Sequence, residues 1–436
     1  MNRHAGAQAA ARRPADAAMV ALAALVALAA APSASAAVFV GVGLADLQPQ
    51  QKVLVPHPAP VQLIFRFEAR GVPDARATQA AKAAVLDAAQ KSGLFAEITE
   101  GPAPGGAIVN VAIDDEGDIG SAEAKGVATG LTLGLAGNYV ADTYTTEIEY
   151  FPRGQTPKIT RTVKQSMFTQ VGLINRTPPN AVKVDGGPYE GVTTVIRQTV
   201  SHALNEIASD PAFQNDVMAQ AGDRPSAAAS AQFPATALEV TPHGSRPRNA
   251  FGAKPARRCD VEALVGSLCP LPAPAVSLDA LVAAREADLA PIKIGIFDAA
   301  PGDAAALDKR IHIRGVTESA PSGSFAAYLG QLLAAQLTSI GRFDADSGLV
   351  LAGLVTDAHA SAGPGRTTDK LKVRFVLTRN GVAVFEKEFT RENTWNSNFL
   401  AAVAIPEAIN HYLALYPAIA IALFADSDFR AAAHRG

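Results

Sequence analysis

The stretch KSGLFAEI (91–98) closes an apolar helical pattern with a glycine and places a phenylalanine two residues later. Much further along the chain, SIGRFDAD (339–346) carries the same stop and the same phenylalanine. A glycine at a helix end reaches the left-handed conformation without a Cβ clash, so it marks where the helical run stops. Finding the step twice predicts a duplicated unit, and the surrounding residues bear on that expectation.

Before the first stop, VQLIFRFEA (61–69) alternates Val61, Leu63, Phe65 and Phe67 with other positions, which is strand periodicity. Pro73-Asp74 opens a helix to about Ser92, with Ala80, Ala84, Val85 and Ala88 on one face. Strands are expected at 107–114, 143–151 and 158–168, then a helix at 190–208. The second half repeats the order. PIKIGIF (291–297) reads as a strand, and 324–340 reads as a helix with Phe325, Tyr328, Leu329, Leu332 and Leu333 on one face. A strand follows at 349–359. Strands 370–378 and 382–390 are joined through Asn380-Gly381, the residue pair that favours a tight hairpin turn. Closing helices are expected over 398–424, broken near Pro406 and Pro417. Each half then ends in D-x-x-F, Asp210 to Phe213 and Asp426 to Phe429.

The expected fold class is therefore α+β: two tandem β-α-β-β-β-α units, each with helices on one face of a mainly antiparallel sheet. The units are assigned to 55–218 and 288–430. Between them, 219–287 is rich in proline, alanine, glycine and serine and loses apolar periodicity, as a disordered linker does. A short helix at 278–289 leads out of it.

Residues 1–37 read as an export signal. Arg3, Arg12 and Arg13 precede an apolar run at 18–31 that is shorter than the ~20 residues a bilayer requires. PSASAA then supplies small residues for cleavage after Ala36 or Ala37. Past residue 37 no uninterrupted apolar run is long enough to span. The expected location is the periplasm. The two cysteines, Cys259 and Cys269, sit in the linker. In an oxidising compartment that spacing can close a small loop, worth ~3 kcal/mol in the chain-entropy model. Unpaired thiols are the other reading.

A net charge of −3 without a basic cluster beyond Arg257-Arg258 gives no footprint for nucleic acid. The histidines His4, His57, His202, His243, His312, His359, His411 and His434 are scattered without metal-ligand spacing. Neither a nucleophile elbow nor a Walker loop is present. Asp114, Asp115, Glu116 and Asp118 form an acidic turn that lacks the spacing of an EF-hand. No cofactor, metal or catalytic residue is expected.

The helix–Gly–x–Phe–strand step, inside this unit and after an export signal, resembles small accessory lipoproteins of Gram-negative envelopes. These are the auxiliary lipoproteins of lipid-transporting ABC systems and the curli-secretion lipoprotein family. IRGVTESAPSGSFAAYLGQLLAAQL (313–337) and ENTWNSNFLAAVAIPEAINHY (392–412) resemble an uncharacterised family of bacterial envelope lipoproteins. The chain departs from them in having no cysteine at the expected cleavage site, which leaves a peripheral association with the outer membrane as the expectation. The resemblance implies action by binding an envelope partner.

Two further stretches bear on that partner. GVATGLTLGLAGNYVAD (126–142) interleaves glycines with Leu131, Leu133 and Leu135 and runs into Tyr139. It reads either as an apolar flap over the sheet or as a partner contact. Trp395 and Phe399 pose the same choice between interior plug and contact. The functional expectation is a non-catalytic accessory protein serving envelope transport, assembly or secretion. The alternatives are a hydrolase whose site is assembled only in the fold, and a carrier of a small apolar ligand between the domains. Convergent carboxylate and histidine groups would favour the hydrolase, and apolar grooves or an open sheet edge would favour binding.

Overall fold

The computed structural model describes residues 37–117, 138–154, 158–171, 177–222, 271–320, 323–399 and 401–434. Leu131, Leu133, Leu135, Cys259, Cys269 and the export segment up to residue 36 lie outside these described residues.

The first unit contains β1 (Val38–Gly41), β2 (Ala59–Ala69), β3 (Val72–Pro73), α1 (Ala75–Ser92), β4 (Phe95–Thr99) and β5 (Ile108–Asp115). It continues with β6 (Asn138–Phe151), β7 (Ile159–Val171), β8 (Ala181–Val184), α2 (Pro188–Ala208) and α3 (Pro211–Gly222). The second contains α4 (Leu278–Glu286), β9 (Lys293–Ala299), α5 (Asp303–Lys309), β10 (Ile311–Ile313), β11 (Val316–Glu318) and α6 (Phe325–Ser339). It closes with β12 (Leu349–His359), β13 (Gly365–Arg379), β14 (Val382–Ser397), α7 (Ala401–Leu413), α8 (Leu415–Ala425) and α9 (Ser427–Ala433).

The duplication holds at the level of strand pairing. In the first unit β2 runs parallel to β5, and β5, β6 and β7 follow antiparallel. In the second β9 runs parallel to β12, and β12, β13 and β14 follow antiparallel. Both stop glycines are left-handed, Gly93 at φ 73° and Gly341 at φ 67°. After each stop the chain rejoins the first strand of its unit. β4 pairs parallel with β2 through Ala59 and Phe95, and Phe343 bridges parallel to Ile292 just ahead of β9.

The D-x-x-F tails repeat as well. Asp426 accepts from the backbone of Asp428 and Phe429 and pairs with Lys387 on β14 at 2.7 Å. Asp210 accepts from Ala212 and pairs with Arg161 on β7, also at 2.7 Å. The carboxylate thus caps the terminal helix and ties it to the fourth strand of its own sheet. Phe213 and Phe429 are both fully buried. Phe213 meets Tyr150 edge-on at 4.9 Å and Phe429 meets Phe385 at 5.5 Å.

Several expectations are corrected. The first sheet begins before residue 55, because β1 inserts between β7 and β8 and buries Val38 completely. Pro406 lies inside α7 rather than breaking it. The break falls at Ala414, and Pro417 sits in the first turn of α8, where a missing N–H costs no helical bond. Val403–Ala425 is long and apolar enough by composition to cross a membrane, contrary to the reading of the sequence, yet it consists of these two helices and is mostly buried in the fold. Phe343 is 42% exposed, so it is no counterpart of Phe95, which lies edge-on to Phe213 at 6.3 Å.

The largest correction concerns the end of the assigned linker. Residues 271–287 are packed structure. Leu278 and Leu281 of α4 join Ile64, Ile108 and Phe151, which lie on the face of the first sheet turned away from α1 and α2. Ala280, Ala283 and Ala284, on the other side of α4, belong to the core of the second unit. The helix is a wedge between the units, and small residues on one side let it sit close to α8 and α6.

Candidate functional site

Polar contacts finish the joint that α4 begins. Gln62, fully buried on β2, donates to the carbonyls of Glu100 and Ser339, both at 2.9 Å, and accepts from Arg285 at 3.0 Å. Arg76 at the start of α1 pairs with Glu318 of β11 at 2.5 Å, both side chains being under a tenth exposed. Asn410 donates to Asp74 at 2.9 Å, and Arg70 pairs with Glu407. Apart from the Glu100 carbonyl, these partners of the β2–α1 region lie in the second unit, on α4, α6, α7 and β11.

Between these contacts the surfaces do not close fully. They leave a cleft with a cavity of about 270 Å³. Its floor is Tyr328 and Leu332 of α6, with Leu413, Tyr416, Pro417 and Ile421 of α7 and α8. The opposite wall is Arg66, Glu68, Ala75 and Thr78, and Ala275, Val276 and Ser277 pass over the top. A second cavity of about 250 Å³ adjoins it and shares Ala75, Thr78, Ala275 and Val276. The sequence produces this shape by local means. The apolar stripe of α6 is wider than its own sheet can cover, so Tyr328 and Leu332 face the first unit.

The cleft is mainly apolar, and apart from the exposed Asp279 its charged groups are paired. Arg66 Nε lies 2.6 Å from Glu68, and Lys82 lies 2.7 Å from Glu100 at the second cavity. Thr78 spends its hydroxyl on the Asp74 carbonyl at 2.7 Å. Tyr416 donates to Tyr412 at 3.1 Å. The Tyr328 hydroxyl has no hydrogen-bond partner among the described residues, although Tyr328 is only 4% exposed. Burial pushes its phenol up to about 12, opposed by the nearby Arg76 charge, so it stays a proton donor at neutral pH. No histidine lines either cavity.

The residues singled out from sequence are dispersed. Trp395 is 8% exposed, and its indole donates to the buried Asp369 at 2.8 Å and stacks on His411 at 4.4 Å. As a partner contact it offers little surface. Burial pushes the Asp369 carboxyl up to about 6. Burial, then the Arg70 charge, pushes His411 down to about 4, leaving it neutral beside the Asn393 amide at 2.7 Å. Tyr139 packs edge-on against Phe168 at 5.6 Å on the first sheet. Phe399, 81% exposed, stands at the end of β14 where Arg314 binds its carbonyl.

The acidic turn is equally divided. Asp114 accepts from Gly71, Glu116 pairs with Lys164, and Asp115 turns inward beside Tyr144. Among the described residues no group of three or more histidine, cysteine or carboxylate side chains could hold a metal.

Tyr328 and Tyr416 add hydroxyls to the aliphatic part of the cleft, and the sequence reading takes Tyr328 as an ordinary member of an apolar helix face and does not single out Tyr416. The available signal was a tyrosine within an otherwise aliphatic stripe, because its hydroxyl must find a partner or an opening.

No family model and no curated protein matches the chain. Among solved structures, protein XCC0632 from Xanthomonas campestris, described as family-model DUF330, is similar over 31% of this chain and 83% of its own length. The sequence identity is 16% and the TM-score 0.23, a level of likeness on which no functional statement rests.

Proposed function

We propose that this is a non-catalytic binding protein of the bacterial cell envelope, which takes a small apolar group into the cleft between its units. Through that binding it serves envelope transport, assembly or secretion, in the periplasm or at the periphery of the outer membrane and alongside an envelope protein partner. The observation that carries the reading is the cleft. It is concave, lined mainly by aliphatic and aromatic side chains, and furnished with a few open polar groups, the hydroxyls of Tyr328 and Ser277 and the carboxylate of Asp279, the pattern of binding pockets. No histidine lines the cavity to act as base toward the Ser277 hydroxyl, which favours holding over reacting. Export is read from the arginine leader, the short apolar run and the small-residue exit. β1 begins directly after the expected cleavage position.

Native mass spectrometry of the chain recovered from its own cells tests the reading. The expected result is an added small-molecule mass that disappears in Ala418→Trp, which fills the cavity from a half-buried position on α8. Turnover of ester, peptide or phosphoester substrates that the same change abolishes would replace the binding reading with the hydrolase.

A further inference from the structure

We infer that the cleft takes an uncharged, mostly apolar molecule of about eleven non-hydrogen atoms that carries one hydrogen-bonding oxygen, seated on the Tyr328 hydroxyl. The inference rests on the cleft being a binding site and names what it binds.

Size comes first. A cavity of about 150 Å³ lined by aliphatic and aromatic groups accepts benzene. In proportion, about 270 Å³ accepts a molecule of roughly eleven non-hydrogen atoms.

Charge comes second. A buried carboxylate or ammonium must find an opposite charge to offset its desolvation. The Arg66 guanidinium is already held by Glu68, and Arg76 behind Tyr328 is held by Glu318. Lys82 at the second cavity is held by Glu100. Asp279 at the wall disfavours an anion further. A cation would either stay with Asp279, which is exposed to solvent, or strip Glu68 from Arg66 and leave that guanidinium unpaired.

Hydrogen bonding comes third. Of the hydroxyls in the cavity floor, that of Tyr416 is taken by Tyr412 and that of Tyr328 has no partner among the described residues. That hydroxyl opens into the cleft, so a ligand that displaces water from it must supply an oxygen in return, and an ester, ketone or alcohol oxygen does so. The Leu332, Leu413 and Ile421 side chains then cover the hydrocarbon part.

Isothermal titration of the full chain with 1-decanol, decanoate and decylammonium tests this, the three probes sharing one chain and differing in the head. The expected result is 1:1 binding of 1-decanol, with both charged analogues at least about tenfold weaker. Tyr328→Phe should weaken 1-decanol roughly three- to tenfold while leaving the melting temperature in place, because it deletes one hydrogen bond and preserves the ring. Ala418→Trp should abolish binding. If a charged analogue binds as tightly as 1-decanol and Ala418→Trp abolishes that binding, the cleft remains a site and the uncharged ligand is refuted. If Tyr328→Phe binds 1-decanol undiminished, the hydroxyl seat is refuted. If no probe binds, the inference fails, and a bare native mass would take the binding reading with it.

Discussion

Truncating Leu281 tests whether α4 joins the two units. Its side chain is fully buried, with Ile64, Ile108 and Phe151 of the first sheet around it, each at most 8% exposed. Leu281→Ala removes the transfer free energy of the lost methyl and methylene groups and opens a cavity among groups fixed in a sheet that cannot collapse to fill it. Such changes cost about 2–5 kcal/mol. For a folded body of more than 300 residues a loss of about 3 kcal/mol lowers the melting temperature by roughly 4–5 °C. Leu281→Asp should go further, because a carboxylate cannot stay in that pocket unpaired. The favoured outcome is undocking, with Ile64, Ile108 and Phe151 exposed and an apolar dye bound. Calorimetry and dye titration read both effects. Glu286→Ala on the same helix is the control, since Glu286 is exposed and its contact with Arg430 is 3.8 Å long, so the expected change is within about 0.5 kcal/mol. A Leu281→Ala protein that melts with the parent, or a Leu281→Asp protein that binds no dye, would refute the wedge.

Other outcomes follow from the same geometry. Phe213→Ala and Phe429→Ala should each cost about 3–5 kcal/mol in chemical denaturation, because both rings are fully buried at equivalent places in the two units. Phe343→Ala should cost well under half of that, since its ring is 42% exposed. A third outcome concerns pH. Burial, and after it the Asp142 charge, pushes the Asp115 carboxyl up to about 7. The native state therefore keeps a proton that the unfolded chain has lost between about pH 4 and pH 7, and stability falls as pH rises through that window. Asp115→Asn should flatten the profile and gain up to about 4 kcal/mol at pH 8. Equal slopes for parent and variant between pH 4 and 8 would show that Asp115 titrates normally.

What could be read from the chain was local. The glycine stops, the period-two strands, the Asn380-Gly381 turn and the D-x-x-F tails each depend on residues close in sequence, and they stand where expected except in β9. That strand runs over Lys293–Ala299 and leaves Ile296, expected on the inner face with Ile292 and Ile294, 80% exposed. Asn380 and Gly381 take φ of 50° and 86°, the left-handed pair that a tight hairpin needs. The missed features depend on distant partners. β1 is four residues long and becomes a strand because β7 and β8 bracket it. The Leu278–Glu286 helix is legible in the sequence as a short helix leading into the second unit, but its role as a wedge appears only once two surfaces meet on it. The cleft draws on β2, α1, residues 275–277, α6, α7 and α8, and no spacing rule links those stretches. Phe343 shows the limit of arguing by repeat. The backbone step is copied, but at the equivalent place in the second unit the ring is left partly in solvent.

The most direct measurement of the central claim is a crystal structure of the full chain with 1-decanol. The account predicts density for one molecule between Leu332, Leu413 and Ile421, with its oxygen within about 3 Å of the Tyr328 hydroxyl. A cleft closed by side chains, or the alcohol seated elsewhere on the molecule, would contradict it.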